Sequence, residues 1–239
     1  MDTRSIILIF LIVTGASALQ GAVGYGLNVI AAPLLMLINP GMVPGPIMAS
    51  AFVLTVLMVW RNRDGIDLRG VRWMAFGMIP GTALASYILP FIPVRALSFV
   101  LAGLVIGGVI LSLTGLKFPP WRSILLAAGF VSGVGGTLAS IGGPPVALVN
   151  QDLPGPRLRA TLATYFILSA MFAILGLVLA GHFGGSELAL SAVMLPGVVV
   201  GFLLSGPLAV YLDRGYTRYA ILGISGLAGV LLIIQQLMH

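Results

Sequence analysis

The chain of 239 residues contains no cysteine and only two histidines. The absence of cysteine excludes disulfides and thiolate metal ligands, and His182 and His239 alone argue against a histidine metal site. No acid–base pair stands within an apolar segment, and the serine hydrolase motif G-x-S-x-G is missing. We therefore expect no metal, no other cofactor and no enzymatic activity.

Charged side chains are also scarce. Only 8% of the residues are charged, 59% are hydrophobic, and the mean hydropathy is +1.13. Soluble domains carry about 25% charged residues, so this composition predicts an all-α integral membrane protein. The net charge of +6 is typical of arginines in cytoplasmic loops rather than of a nucleic-acid site. The expected partners are membrane lipid and a small solute, and no nucleic acid.

The apolar segments fall into two similar halves. Each half has five segments, and the second is too short for the roughly 20 residues of a full span. The predicted segments are 5–23, 27–38, 46–60, 72–90 and 95–114, then 122–138, 140–150, 158–181, 187–210 and 218–237. We therefore divide the chain into a first transmembrane repeat at 1–116, a linker at 117–121 and a second repeat at 122–239.

A signal peptide is an alternative for residues 1–18, because Arg4 precedes an apolar stretch that ends in Ala16-Ser17-Ala18. Segment 5–23 has a counterpart at 122–135, however, and its removal would delete one member of the repeat. We therefore favour its retention.

The positive charges indicate the orientation. If all ten segments cross, ten of the twelve lysines and arginines share one side, which the positive-inside rule makes cytoplasmic. These ten are Arg61, Arg63, Arg69, Arg72, Lys117, Arg122, Arg157, Arg159, Arg214 and Arg218. Five segments per half is an odd number, so the halves are inverted repeats. The charges fit equally well if the first two segments of each half dip into the membrane and return. In both versions the termini are periplasmic.

A glycine-rich break precedes each short segment. The first break, residues 20–28, reads QGAVGYGLN, and the second, residues 132–144, reads SGVGGTLASIGGP. With Pro33 set against Pro145, Gln20 matches Ser132 and Asn28 matches Ser140. Paired interruptions in the two halves of a transporter indicate its binding site, because a broken helix leaves peptide groups that a substrate can satisfy.

The breaks offer neutral donors to an anion. The short helices should begin near Leu27 and Ile141, and a helix N-terminus binds anions without arginine. Hydroxyl and amide side chains could add further donors. The candidate substrate-binding residues are Gln20, Gly21, Gly24, Tyr25, Gly26 and Asn28 in the first break, and Ser132, Gly133, Gly136, Thr137, Ser140, Gly142 and Gly143 in the second.

Simpler interpretations stand beside this one. Glycines in membrane helices usually serve close packing. We expect Thr161, Thr164 and Ser169 to bond to their own helix backbone, and Arg61 to Asp64 to be solvated loop charges. Without an intramembrane carboxylate or histidine, a proton relay is not expected.

The stretch from Gly129 to Gly136, followed by Ser140-Ile141-Gly142-Gly143-Pro144-Pro145, resembles the second-repeat signature of the sulfite exporter TauE/SafE family. Residues 21–33 are similar to the opening motif of that family, although members often have more consecutive glycines where Gly24-Tyr25-Gly26 stands. The resemblance covers nearly the whole chain. It implies a carrier of sulfite, thiosulfate or a sulfonate in the bacterial inner membrane.

We therefore expect a secondary transporter of a small sulfur-containing oxyanion or sulfonate, acting outward. The alternatives are an importer of a related organic anion and a passive anion channel. The sequence does not choose between sulfite, thiosulfate and a sulfonate.

Overall fold

The computed structural model describes residues 2–62, 65–93 and 118–212, together with scattered positions between 96 and 110 and residues 230 and 234. The described residues form α-helices and no strand. The helices are α1 (Thr3–Val23), α2 (Leu27–Ile38), α3 (Gly45–Arg61), α4 (Leu68–Ile88), α5 (Arg122–Ala139), α6 (Gly143–Val149), α7 (Gly155–Leu179) and α8 (Gly185–Leu212). Short 3-10 turns lie at Pro40–Met42 and Leu89–Phe91.

The helices follow the predicted segments closely, and α2 has the predicted limits. The segment predicted at 140–150 is shorter, because its helix begins at Gly143 rather than near Ile141 and has only seven residues. The segments predicted at 95–114 and 218–237 fall largely outside the described residues. The all-α class is confirmed.

Six of the described helices are long and apolar enough to cross a membrane. Their outer faces carry large apolar side chains, of which Leu11 is 58% exposed, Leu175 53% and Leu203 67%. Apolar side chains over so much of the surface are stable in contact with lipid tails rather than water. The helices can cross the lipid because their backbone N–H and C=O groups are paired within each helix. The chain is therefore a multi-pass membrane protein.

Glycines allow two pairs of helices to approach closely and in parallel. A Cβ atom on Gly77 or Gly81 of α4 would collide with the backbone of Leu126 or Phe130 of α5. A Cβ atom on Gly201 of α8 would likewise collide with the Thr14 backbone of α1. Small residues at such contacts are the usual means of helix association in membranes.

Exchange of the two halves reproduces these contacts. In the predicted repeat α1 corresponds to α5, α3 to α7 and α4 to α8. The α1–α8 pair then becomes the α5–α4 pair, and the α3–α8 contact becomes the α7–α4 contact. The α3–α7 contact maps onto itself. This pattern is what a two-fold relation between repeats requires, and the inverted repeat itself stays a prediction.

The described arginines of the predicted cytoplasmic loops lie at one end of the bundle, which we call the arginine end. There the Asp67 N–H before α4 donates to Thr161 Oγ1 of α7 over 3.0 Å. Arg72 and Arg122 flank the Trp73 ring at 5.5 and 5.1 Å from its centroid. Arg63, Arg95, Lys117, Arg214 and Arg218 are outside the described residues. The start of α3 lies at the opposite end, because a Cβ on Gly45 would meet Phe183 and Glu187 near the start of α8.

Candidate functional site

The first break reverses the chain between α1 and α2. Gly24 ends α1 with φ of 106°, and Gly26 precedes α2 with φ of 132°, values that glycine adopts without a Cβ penalty. The Leu27 N–H, the first of α2, donates to Gln20 Oε1 over 2.9 Å. Gln20 was expected to donate to an anion. The oxygen accepts this bond from α2 and orients the side chain, and the amide nitrogen, which is its donor, stays available, so this role of Gln20 stays a prediction.

The second break is closed differently. Ser140 adopts φ of 60° after α5, and the N–H groups of Ser140 and Ile141 both donate to the Gly135 carbonyl. The Ser140 hydroxyl donates to the Pro44 carbonyl over 2.9 Å. Its proton is therefore committed, and the expected role of this hydroxyl as an anion donor is wrong in this conformation. Pro144 and Pro145 have no N–H, so the donors left at this break are those of Gly142 and Gly143.

Both breaks meet at one cavity of about 40 Å³ between α3 and α7. That volume holds a few water molecules or one small ion. Its lining residues are Gln20, Tyr25, Gly26, Asn28, Val29, Met48, Ala51, Thr55, Gly136, Ser140, Ile141, Gly142, Gly143, Phe166, Ser169 and Ala170. None of these residues is charged, so the cavity is polar through neutral groups alone.

Eight of the predicted site residues line this cavity: Gln20, Tyr25, Gly26, Asn28, Gly136, Ser140, Gly142 and Gly143. Asn28 contributes a buried Oδ1 atom without a hydrogen-bond partner. This oxygen is an acceptor, so only a ligand group that carries a proton can pair with it, whereas the N–H of the same residue, in the first turn of α2, can donate to a bound anion.

The other five predicted residues lie outside the cavity wall. Gly21 packs against the Ser205 side chain of α8, and Gly133 against the backbone of Met78 and Thr82 of α4. Gly24 contacts Arg159. Ser132 and Thr137 are buried, and their hydroxyl oxygens have no hydrogen-bond partner. For Gly21 and Gly133, the packing interpretation describes the observed contacts.

Two of the lining residues that were not predicted carry hydroxyl groups, Thr55 of α3 and Ser169 of α7. Ser169 was expected to bond to its own helix, whereas the structure places it in the cavity wall, and the hydrogen bonds among the described residues include none from its hydroxyl. Alignment of residues 50–55, SAFVLT, with residues 164–169, TYFILS, makes Thr55 and Ser169 equivalent in the repeat. This match between the two halves is the feature of the sequence that could have identified Thr55 and Ser169 as a pair.

Arg61 is another correction. Expected as a solvated loop charge, it donates to the Gly21 carbonyl over 3.0 Å and to the Phe202 carbonyl over 3.1 Å, and its guanidinium lies 4.3 Å from the centroid of the Phe202 ring. Arg159 donates to the Ala22 carbonyl over 3.1 Å. The two arginines satisfy carbonyls at the end of α1, which a helix terminus otherwise leaves unpaired. They therefore fix the first break from the arginine end.

Comparison with known proteins agrees with this architecture. A family model described as Sulfite exporter TauE/SafE matches residues 9–232. Neither the curated proteins nor the solved structures compared with the chain include a match. The family match spans both breaks and nearly all of the chain, and the chain therefore belongs to the sulfite exporter TauE/SafE family of membrane transport proteins.

Proposed function

We propose that the chain is a secondary transporter that exports a small sulfur-containing oxyanion or sulfonate of the sulfite type. The observation that carries the proposal is the convergence of both breaks on a single uncharged polar cavity. The family match supports sulfur anions as the substrate class. The direction and the particular anion are part of the proposal.

The neutral donors in the cavity wall suit an anion that is bound on one side of the membrane and released on the other. Donors available to it are the Gln20 amide nitrogen, the Asn28 and Gly143 N–H groups and the Ser169 hydroxyl. A hydrogen bond to a charged group contributes about 1.5–3 kcal/mol, so several of them offset much of the cost of removing the ion from water. Without a fixed positive charge in the wall, the ion is not held by a salt bridge and can be released on either side.

The proposed transport cycle uses the repeat architecture. Two inverted halves around a midplane site allow alternating access, in which one half rocks against the other. We place the arginine end in the cytoplasm and both termini in the periplasm of a bacterial inner membrane, on the positive-inside rule. The direction of net transport is then set by the gradient of the substrate and by the gradient of any coupled ion.

Transport into proteoliposomes tests this function. The purified full-length protein should catalyse movement of labelled sulfite, thiosulfate or a sulfonate, and saturate with concentration. Absence of transport for every sulfur anion would contradict the proposal. Electrical recording in planar bilayers separates the channel alternative, since a carrier gives no unitary conductance steps whereas a channel does.

A further inference from the structure

We propose that the cavity selects a singly charged oxyanion that still carries one proton, such as hydrogensulfite, over any doubly charged anion. This inference rests on the proposed function and specifies the ionic form that the site binds. It comes from two observations, the lack of positive charge in the wall and the presence of hydroxyl groups whose protons are already committed.

Charge is the first argument. The desolvation cost of an ion grows with the square of its charge, so a dianion costs about four times as much as a monoanion of equal size. The lining residues include no arginine, lysine or histidine to offset that difference. Neutral donors alone therefore favour the monoanion.

The acceptors are the second argument. Thr55 Oγ1 donates to the Phe52 carbonyl over 2.9 Å, and Ser140 Oγ donates to the Pro44 carbonyl over 2.9 Å. Both hydroxyl oxygens can then only accept further hydrogen bonds. A fully deprotonated oxyanion has nothing to donate to them and would be repelled, whereas an anion with one O–H can donate to Thr55 while its other oxygens accept from Ser169.

The titratable side chains at and near the cavity are few. Tyr25 is the one among the lining residues. Tyr165 is buried on α7, and Arg159 lies against Gly24 at the arginine end. The described residues place no carboxylate and no histidine in the wall. The pH dependence of binding should therefore be that of the substrate.

Calorimetric titration of the full-length protein in nanodiscs tests the inference with three ligands. Sulfite can be a protonated monoanion, methanesulfonate is a monoanion without a proton, and thiosulfate is a dianion throughout. We expect the affinity for total sulfite to fall about tenfold per pH unit above the second pKa of sulfurous acid. Methanesulfonate affinity should not change with pH, and thiosulfate should bind most weakly.

Two variants separate the acceptor role of Thr55 from the donor role of Ser169. Thr55→Val removes the acceptor and should lower sulfite affinity about 5- to 10-fold without lowering methanesulfonate affinity. Ser169→Ala removes a donor and should weaken both. Thr164→Val is the matched control, because the Thr164 hydroxyl also donates to its own helix, at the Ala160 carbonyl over 2.9 Å, but lies outside the cavity wall.

Tight thiosulfate binding, a sulfite affinity that does not change with pH, or equal weakening of both monoanions by Thr55→Val would overturn the inference and leave the proposed function standing. If none of the three anions bound to the unmodified protein, the proposed function would fall, and the inference with it.

Discussion

The substitution Gly136→Val should abolish transport without unfolding the protein. A Cβ atom at Gly136 would have Ser169 Oγ at 3.7 Å and the Gly142 Cα atom at 3.9 Å as its nearest neighbours, which are ordinary contacts. The two further methyl groups of valine would extend into a cavity of only about 40 Å³. They would occupy the space that we assign to the ion.

The expected magnitudes separate folding from function. In a helix interior, glycine is less favourable than alanine by about 1 kcal/mol of helix propensity, and valine is less favourable than alanine by at most about 0.7 kcal/mol. Replacement of glycine by valine should therefore barely change the stability of the helix. Loss of two hydrogen bonds to a charged ligand costs about 3–6 kcal/mol, which lowers affinity at least about 100-fold. Transport of labelled sulfite into proteoliposomes and the thermal midpoint Tm should be measured on the same preparation.

Gly15→Val is the matched control. Gly15 lies on an exposed face of α1, where a Cβ atom would meet nothing within 4 Å. This variant should keep normal transport and a normal Tm. Transport near the unmodified rate by Gly136→Val at equal protein levels would refute the assignment of the cavity.

Three further predictions concern the surroundings of the site. Asn28→Ala keeps the backbone N–H and removes the side-chain amide, and it should weaken anion binding about 5- to 10-fold, the effect of one lost hydrogen bond from that amide, in the same calorimetric titration; unchanged affinity would remove the Asn28 side chain from the site. Arg61→Lys should lower the free energy of unfolding by about 1 kcal/mol, because lysine keeps the charge but cannot bridge the Gly21 and Phe202 carbonyls; chemical denaturation measures it, and an unchanged value would contradict the bridging role. Alkaline phosphatase fused after His239 should be active, and activity of a cytoplasmic reporter there instead would contradict the predicted orientation with periplasmic termini.

The sequence predicts the helices well where hydropathy and chain breakers coincide. α2 has the predicted limits because the glycines of the first break precede Leu27 and Asn39-Pro40 follows Ile38. α6 begins later than predicted because the N–H groups of Ser140 and Ile141 turn back to Gly135, which prolongs the turn after α5. Hydropathy carries no information on such local hydrogen bonds.

The composition of the cavity wall is only partly readable from the sequence. Glycine-rich breaks identify their own residues, whereas Thr55 and Ser169 stand on uninterrupted helices and carry no local signal. Whether a hydroxyl donates or accepts also depends on its neighbours in space, as the bond from Ser140 to Pro44 illustrates across 96 residues. Arg61 is misjudged for the same reason, since its acceptors are on α1 and α8.

Location of the bound anion tests the central claim most directly. Selenite has the shape and charge states of sulfite, and selenium scatters anomalously, so crystals grown with selenite would locate the ion without ambiguity. We predict an anomalous peak between the two breaks, within hydrogen-bonding distance of the Ser169 hydroxyl and the Gly143 N–H. A peak at the arginine end, beside Arg61 and Arg159, with none between the breaks, would contradict the account.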